Sequence, residues 1–167
     1  YNPETKKYVF RLDQASFRNI DLIGLYYEWF RKFPLVSLED GLAEDDWEGW
    51  KELNRQLGDE LMLIGDDLLV TNIERLRIAL KEKAANAILI KPNQVGTISE
   101  TMECVKLAQR HNWKIMASHR SGETCDAFIA DLAVAVGANF IKAGSLSRSE
   151  RLAKYNRLME IELELNQ

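Results

Sequence analysis

Five short apolar runs in the chain each end on, or contain, a group that can do chemistry. Glu39-Asp40 follows Leu35–Leu38, and Asp66-Asp67 follows Leu61–Ile64 across Gly65. Lys91 follows Ala87–Ile90, Ser118-His119-Arg120 follows Lys114–Ala117, and Lys142 lies within Phe140–Ala143. From Glu39 to Asp66, Lys91, His119 and Lys142 the steps are 27, 25, 28 and 23 residues. Solvated loop charge is the plain explanation for any one of these groups. It explains all five poorly, because loop charges have no reason to keep pace with a structural repeat.

Glu39 and Asp66 offer hard oxygen ligands suited to magnesium, which takes few protein carboxylates and completes its shell with water or substrate oxygens. A carboxylate pair held by neighbouring lysines is the alternative. A lysine partly buried near other cations can serve as a neutral amine base, and Lys91 follows an apolar strand. A structural salt bridge is an equal alternative for it. Arg120, Ser121 and the backbone around Gly122 are expected to lead into a helix, and a helix N-terminus beside an arginine suits a phosphate. Lys142 adds a cation. His119 taken alone reads as a packed or hydrogen-bonded structural histidine. Together, metal-held carboxylates, a lysine base and a phosphate pocket point to proton abstraction next to a carboxylate. The doubly charged, enolate-like product of that step needs a divalent cation to be accessible.

The elements that must position these groups are legible in the pattern. The apolar runs read as parallel strands buried on both faces. Between them lie helical stretches: Arg18–Lys32 stopping at Pro34, Asp46–Leu57, Ile73–Lys83, Thr97 to about Asn112, Glu123–Val136, and a last one ending near Leu165. Trp47, Trp50, Leu53 and Leu57 form one apolar stripe, and Ile73, Leu76, Ile78 and Leu80 another. Thr97-Ile98-Ser99-Glu100 and Ser147-Arg148-Ser149-Glu150 read as capping boxes. Strands alternating with helices predict an α/β fold with a parallel sheet. An open doubly wound sheet and a (β/α) barrel both satisfy that alternation. No Gly-x-Gly-x-x-Gly follows a strand, which weakens the dinucleotide-binding option. In a barrel, the C-terminal strand ends converge on one mouth.

The chain has 167 residues, 46% apolar and 29% charged, with a net charge of −4 and a pI near 5.3. That composition suits a globular domain and argues against a nucleic-acid binder, which needs a basic face. Cys104 and Cys125 form no Cys-x-x-Cys pair, so a zinc site is not indicated. Two thiols suit a reducing cytosol, and no apolar run reaches membrane-spanning length. The start at Tyr1-Asn2-Pro3-Glu4, with no Met, reads as a cut edge.

Several stretches, in order, resemble the enolase family. They are Ser37–Asp40, Asp45–Trp47, Gly65–Leu68 with Val70–Asn72, Leu89–Gly96, Ser118–Thr124, Ile141–Gly144 and Ser147–Asn156. Ser-His-Arg-Ser-Gly-Glu-Thr is the most specific. The resemblance covers nearly the whole chain and is weakest before Leu35. Gly41, Pro92, Cys125 and Ala143 depart from the family's usual residues at their positions.

The resemblance implies a partial (β/α)8 TIM-type barrel of about five C-terminal βα units over residues 1–167. The family's N-terminal α+β domain and first barrel strands would be absent. It implies that Glu39 and Asp66 bind Mg2+ and contact substrate, and that Lys91 takes the C2 proton of 2-phosphoglycerate. His119 would line the pocket, Arg120 and Ser121 would hold the phosphate, and Lys142 would contact the substrate carboxylate and stabilise the intermediate. A lysine or histidine base with one or two magnesium ions is the known pattern of the enolase superfamily and is not a deduction from these residues. The implied reaction is the glycolytic interconversion of 2-phosphoglycerate and phosphoenolpyruvate by a cytoplasmic lyase, a dimer or octamer when complete. The family's general-acid glutamate and third metal-ligand aspartate would lie upstream, so residues 1–167 alone are expected to be inactive. The competing readings are a non-catalytic fragment or split subunit that assembles with a partner chain, another magnesium-dependent superfamily member, and a barrel that binds phosphorylated ligands without chemistry.

Overall fold

The apolar runs do form strands, and the stretches between them form helices. A computed structural model describes residues 1–167. In chain order the elements are β1 (Tyr8–Phe10), β2 (Ala15–Phe17), α1 (Asn19–Lys32), β3 (Ser37–Glu39), α2 (Trp47–Leu57), β4 (Met62–Gly65) and α3 (Ile73–Glu82). Then follow β5 (Ala87–Ile90), α4 (Pro92–Val95), α5 (Ile98–Arg110), β6 (Lys114–Ser118), α6 (Phe128–Ala135), β7 (Phe140–Lys142) and α7 (Ser149–Leu165). The fold is α/β, with a five-stranded sheet in sequence order, β3 to β7. The chain divides into two compact units. One comprises Tyr1–Leu69 with Glu74–Ala87, the other Val70–Ile73 with Ile88–Gln167.

In the first unit, β3 and β4 pair in parallel, with Glu39 opposite Ile64. Helix α2 buries Trp50, Leu53 and Leu57, each at most 1% exposed. Each such side chain contributes about 1.5–3 kcal/mol by leaving water. The Trp50 indole N–H donates to the Ala43 carbonyl, so its one polar atom is satisfied. Trp47 instead lies under the Arg75 guanidinium, 5.2 Å from its ring centre. Asp46 is the N-cap and not the first helical residue, because its carboxylate accepts the Gly49 N–H. The same carboxylate accepts the Tyr8 hydroxyl at 2.7 Å, and the Tyr8 oxygen accepts the Ala43 N–H at 2.9 Å. This fastens the antiparallel β1–β2 hairpin, which three-residue strands leave invisible to periodicity. In α3 the buried stripe is Leu76 and Ala79, and Ile78 is exposed, which corrects the expected Ile73/Leu76/Ile78/Leu80 face. Positions 76 and 78 point to different sides of a 3.6-residue turn.

In the second unit, Ile88–Ile90 of β5 are all buried, as expected of a two-faced parallel strand. Strands β6 and β7 pair in parallel, with Ser118 opposite Lys142. Helix α5 begins as the sequence predicts: Thr97 is the N-cap and its hydroxyl oxygen accepts the Glu100 N–H. Two expectations fail here. Helix α6 starts at Phe128, not Glu123, because residues 119–124 are drawn toward α7 by hydrogen bonds described below. The Ser147–Glu150 box does not cap α7, whose N-cap is Arg148 without a side-chain cap bond.

Candidate active site

The acidic half of the set lies in the first unit. Glu39 ends β3, half-buried, and Asp66 follows β4, 7% exposed. The carboxylate oxygens brought within 4.8 Å of one another belong to Asp40, Asp66 and Asp67, with Glu39 standing one residue earlier. Asp40 organises this group. One of its oxygens accepts the Asp66 N–H at 2.9 Å and the other the Asp67 N–H at 2.8 Å. Burial raises the Asp40 carboxyl above its ordinary value, the two N–H groups work against that, and the charges of Asp66 and Asp67 add to the rise. Three hard oxygen donors from two adjacent loops fit a divalent cation, so the donor chemistry agrees with magnesium.

The cationic half lies in the second unit. Lys91 is extended, φ −128° and ψ 99°, as a residue before proline must be, and Pro92 occupies the first turn of α4 where its missing N–H costs nothing. The Lys91 N–H donates to the Thr71 hydroxyl oxygen at 3.0 Å, and that hydroxyl donates to Gln94 at 2.7 Å. The backbone carrying the lysine is therefore fixed from two sides. The departure at Pro92 fits this geometry.

The segment after β6 is shaped by two cations of α7. Arg151, 8% exposed, donates to the carbonyls of Arg120 at 2.9 Å and Ser121 at 2.8 Å. It also meets Nδ1 of His119 at 2.5 Å. Lys154 is fully buried and donates to Glu123 Oε2 at 2.5 Å, the Thr124 carbonyl at 2.6 Å and the Glu150 carbonyl at 2.8 Å. That uses all three ammonium donors. The second oxygen of Glu123 accepts the Arg120 N–H, closing residues 120–123 into a turn. Burial alone would raise the Glu123 carboxyl. The Lys154 hydrogen bond, the Arg120 N–H and the charges of Lys154 and Arg151 outweigh it and hold the carboxyl below its ordinary value.

His119 sits beside Lys142, whose carbonyl accepts the His119 N–H at 2.9 Å. Burial lowers the imidazole pKa, and the positive charges of Arg151, Lys142 and Lys154 lower it further against the opposing pull of Glu123. The Arg120 side chain is exposed and donates to Asn93 Oδ1 at 3.3 Å. A pocket of about 640 Å3 opens here, lined in part by Pro92, Asn93, Arg120, Thr124, Phe128 and Lys154. Glu123 and Asp126 also line it, Lys91, His119, Ser121 and Lys142 do not, and its volume suits a small molecule.

The Enolase, C-terminal TIM barrel domain family model matches residues 1–167. The chain belongs to the enolase C-terminal barrel family. A protein named Enolase from Campylobacter jejuni subsp. doylei is 56% identical to this enolase barrel segment over 155 residues, 93% of this chain and 37% of that protein. The Enolase of Helicobacter hepaticus is 58% identical over 145 residues, 87% of this chain and 34% of that protein. That of Helicobacter acinonychis shows the same identity and coverage. The chain spans about a third of the length of the curated relatives it matches.

Within the enolase frame, sequence reasoning singled out the groups at strand ends and missed those that hold them: Asp40, Thr71, Glu123, Arg151 and Lys154. A signal for two of these was present. Arg151, Lys154, Leu158 and Ile161 fall on one stripe of α7, and cations on a stripe shared with Ile161 belong to the inward face. Gly41, one of the departures, accepts the Tyr26 hydroxyl at its carbonyl, and a Cβ there would come within 2.7 Å of Leu38 Cδ2.

Proposed function

We propose that the chain is the base- and phosphate-bearing part of an enolase, a glycolytic lyase that interconverts 2-phosphoglycerate and phosphoenolpyruvate with magnesium. The observation that carries this reading is the Ser118–Thr124 segment, tied by Arg151 and Lys154 beside Lys142 and a pocket of about 640 Å3. Glu39 and Asp66 would hold magnesium, with Asp40 fixing the loop that carries Asp66. Magnesium, when bound, supplies positive charge that opposes the negative charge developed when C2 loses its proton.

Lys91 takes the C2 proton. Its backbone is held by Thr71, which fixes the point from which the side chain reaches. Arg120 and Ser121 bind the phosphate. Lys142 places a cation against the substrate carboxylate, where charge builds as the proton leaves. The resemblance puts His119 at the substrate. The resemblance puts the acid that protonates the leaving hydroxyl in another part of the enolase chain. From the family we infer a cytoplasmic enzyme, dimeric or octameric. No helix is long and apolar enough to cross a membrane.

The test is solvent deuterium exchange at C2 of 2-phosphoglycerate by a full-length chain carrying this segment. Lys91→Ala should lower both exchange and turnover by ~10²–10⁴-fold, the usual share of a general base. Exchange retained at the wild-type rate would remove Lys91 from the role and give the proton abstraction to another group, whereas no exchange by the unaltered chain would favour a barrel that binds phosphorylated ligands without this chemistry.

A further inference from the structure

A guanidinium has donors and no acceptor, whereas a neutral imidazole has one of each. Arg151 Nη1 meets His119 Nδ1 at 2.5 Å, so Nδ1 must be the acceptor and the proton must sit on Nε2. Arg151 has little freedom to do otherwise. Its other contacts, to the carbonyls of Arg120 and Ser121, fix the plane of the guanidinium. Its stem is fixed too: a Cβ on Gly144 would lie 2.9 Å from Arg151 Cδ, and Gly144 adopts φ +86°, which L side chains rarely reach. The contact is therefore built from both ends of the side chain.

We propose that Arg151 is a positioning residue that fixes His119 as the Nε2–H tautomer, so that the ring nitrogen left for the ligand is a hydrogen-bond donor. This rests on the enolase reading, whose substrate carries a phosphate and a carboxylate and offers acceptors wherever it is charged. A donor favours such a ligand; a bare ring lone pair would repel it. The groups facing the ring are Arg151 and Lys154 from α7, Lys142 from β7, and Glu123 from the segment after β6. Three are cations, so the arrangement also resists protonation of the ring. His119 is thereby held as a neutral donor, and Nδ1 is withheld from acid–base work.

The test uses full-length chain carrying this segment, 15N-labelled at histidine, with His119→Gln to assign the signal. The wild-type spectrum should show Nε2 protonated and Nδ1 unprotonated; the opposite tautomer overturns the proposal without any further variant. Arg151→Met should give a mixture of tautomers and a higher His119 pKa. The acid limb of its kcat/KM profile should move to higher pH, with kcat/KM lower by on the order of tenfold, the share of one hydrogen bond. Lys154→Met removes the other tie of the same segment. It should lower stability but keep the Nε2–H tautomer, which separates positioning from general support. Arg151→Met retaining a pure Nε2–H tautomer also overturns the proposal. A wild-type chain that shows the expected tautomer but no turnover of 2-phosphoglycerate refutes the assigned reaction instead, so the two failures are distinguishable.

Discussion

Lys154 is the most demanding single side chain in the second unit, and replacing it by Met is the sharpest probe of the packing. Met matches the length of the stem, so the change leaves little void and mostly removes charge. Lost with it are the bonds to Glu123, Thr124 and Glu150. Removing one partner from a buried ion pair costs ~3–5 kcal/mol, mainly because the other charge stays behind. Here the Glu123 side chain is 16% exposed and keeps the Arg120 N–H, so the low end applies, about 3 kcal/mol. Urea unfolding of full-length chain at pH 7, followed by a probe in the barrel segment, should report that loss as a lower midpoint at unchanged slope. The pH dependence has a defined sign. Glu123 has a lowered carboxyl pKa in the folded chain, so its stabilisation is complete above the unfolded value near ~4.3 and fades as pH falls through the lower folded value. Lys154→Met should flatten that acid fade. A cost below about 1 kcal/mol, or an unchanged acid profile, would refute the claim that this pair holds the segment.

Asp40→Asn leaves one carbonyl oxygen to serve two N–H groups, so one of Asp66 and Asp67 loses its acceptor; stability should fall by ~1–3 kcal/mol in urea. Magnesium titration calorimetry should show weaker binding in the same variant, and unchanged affinity would separate Asp40 from the metal loop. Tyr8→Phe strips the acceptor from the Ala43 N–H and the donor from Asp46, which should cost ~1–2 kcal/mol and speed hydrogen exchange in the β1–β2 hairpin. Thr97→Ala removes the α5 cap and should lower the urea midpoint by about 1 kcal/mol, with exchange rising first at Ser99 and Glu100.

Strands β4 and β5 were legible because two-faced burial makes them continuous apolar runs, and β5 matches its expected bounds residue for residue. The expected burial fails at the edge strands, where β3 has no buried residue and Phe140 and Lys142 of β7 are exposed, because an edge strand is covered on fewer sides. The groups at the strand ends were legible because a repeat of sheet and helix sets their spacing. What stayed hidden follows from range. The onset of α6 at Phe128 depends on Arg151 and Lys154, more than twenty residues downstream, overriding a locally good helical pattern from Glu123. Asp40 looked like a companion of Glu39, yet its bonds run to the loop after β4. The hairpin is held by Tyr8 reaching Asp46, a contact that no periodicity of three-residue strands reveals.

The asparagines that precede β5 and β7 carry a consequence for how this architecture can change. Asn86 accepts the Leu63 N–H and donates to the carbonyls of Gly58 and Leu61. Asn139 accepts the Ile115 N–H through its side chain and donates its own N–H to the Ile115 carbonyl. Each clamps the entry of the preceding strand, at the end away from the charged groups. A one-residue slip would turn every side chain of a strand to the opposite face. Within each unit, alignment is thus locked where a strand enters, while the charged groups stand where it leaves. Loops at the exit of such a strand can be exchanged, shortened or grafted without resetting which residues face which way, whereas trimming the asparagine at its entry would unsettle the exit from a distance.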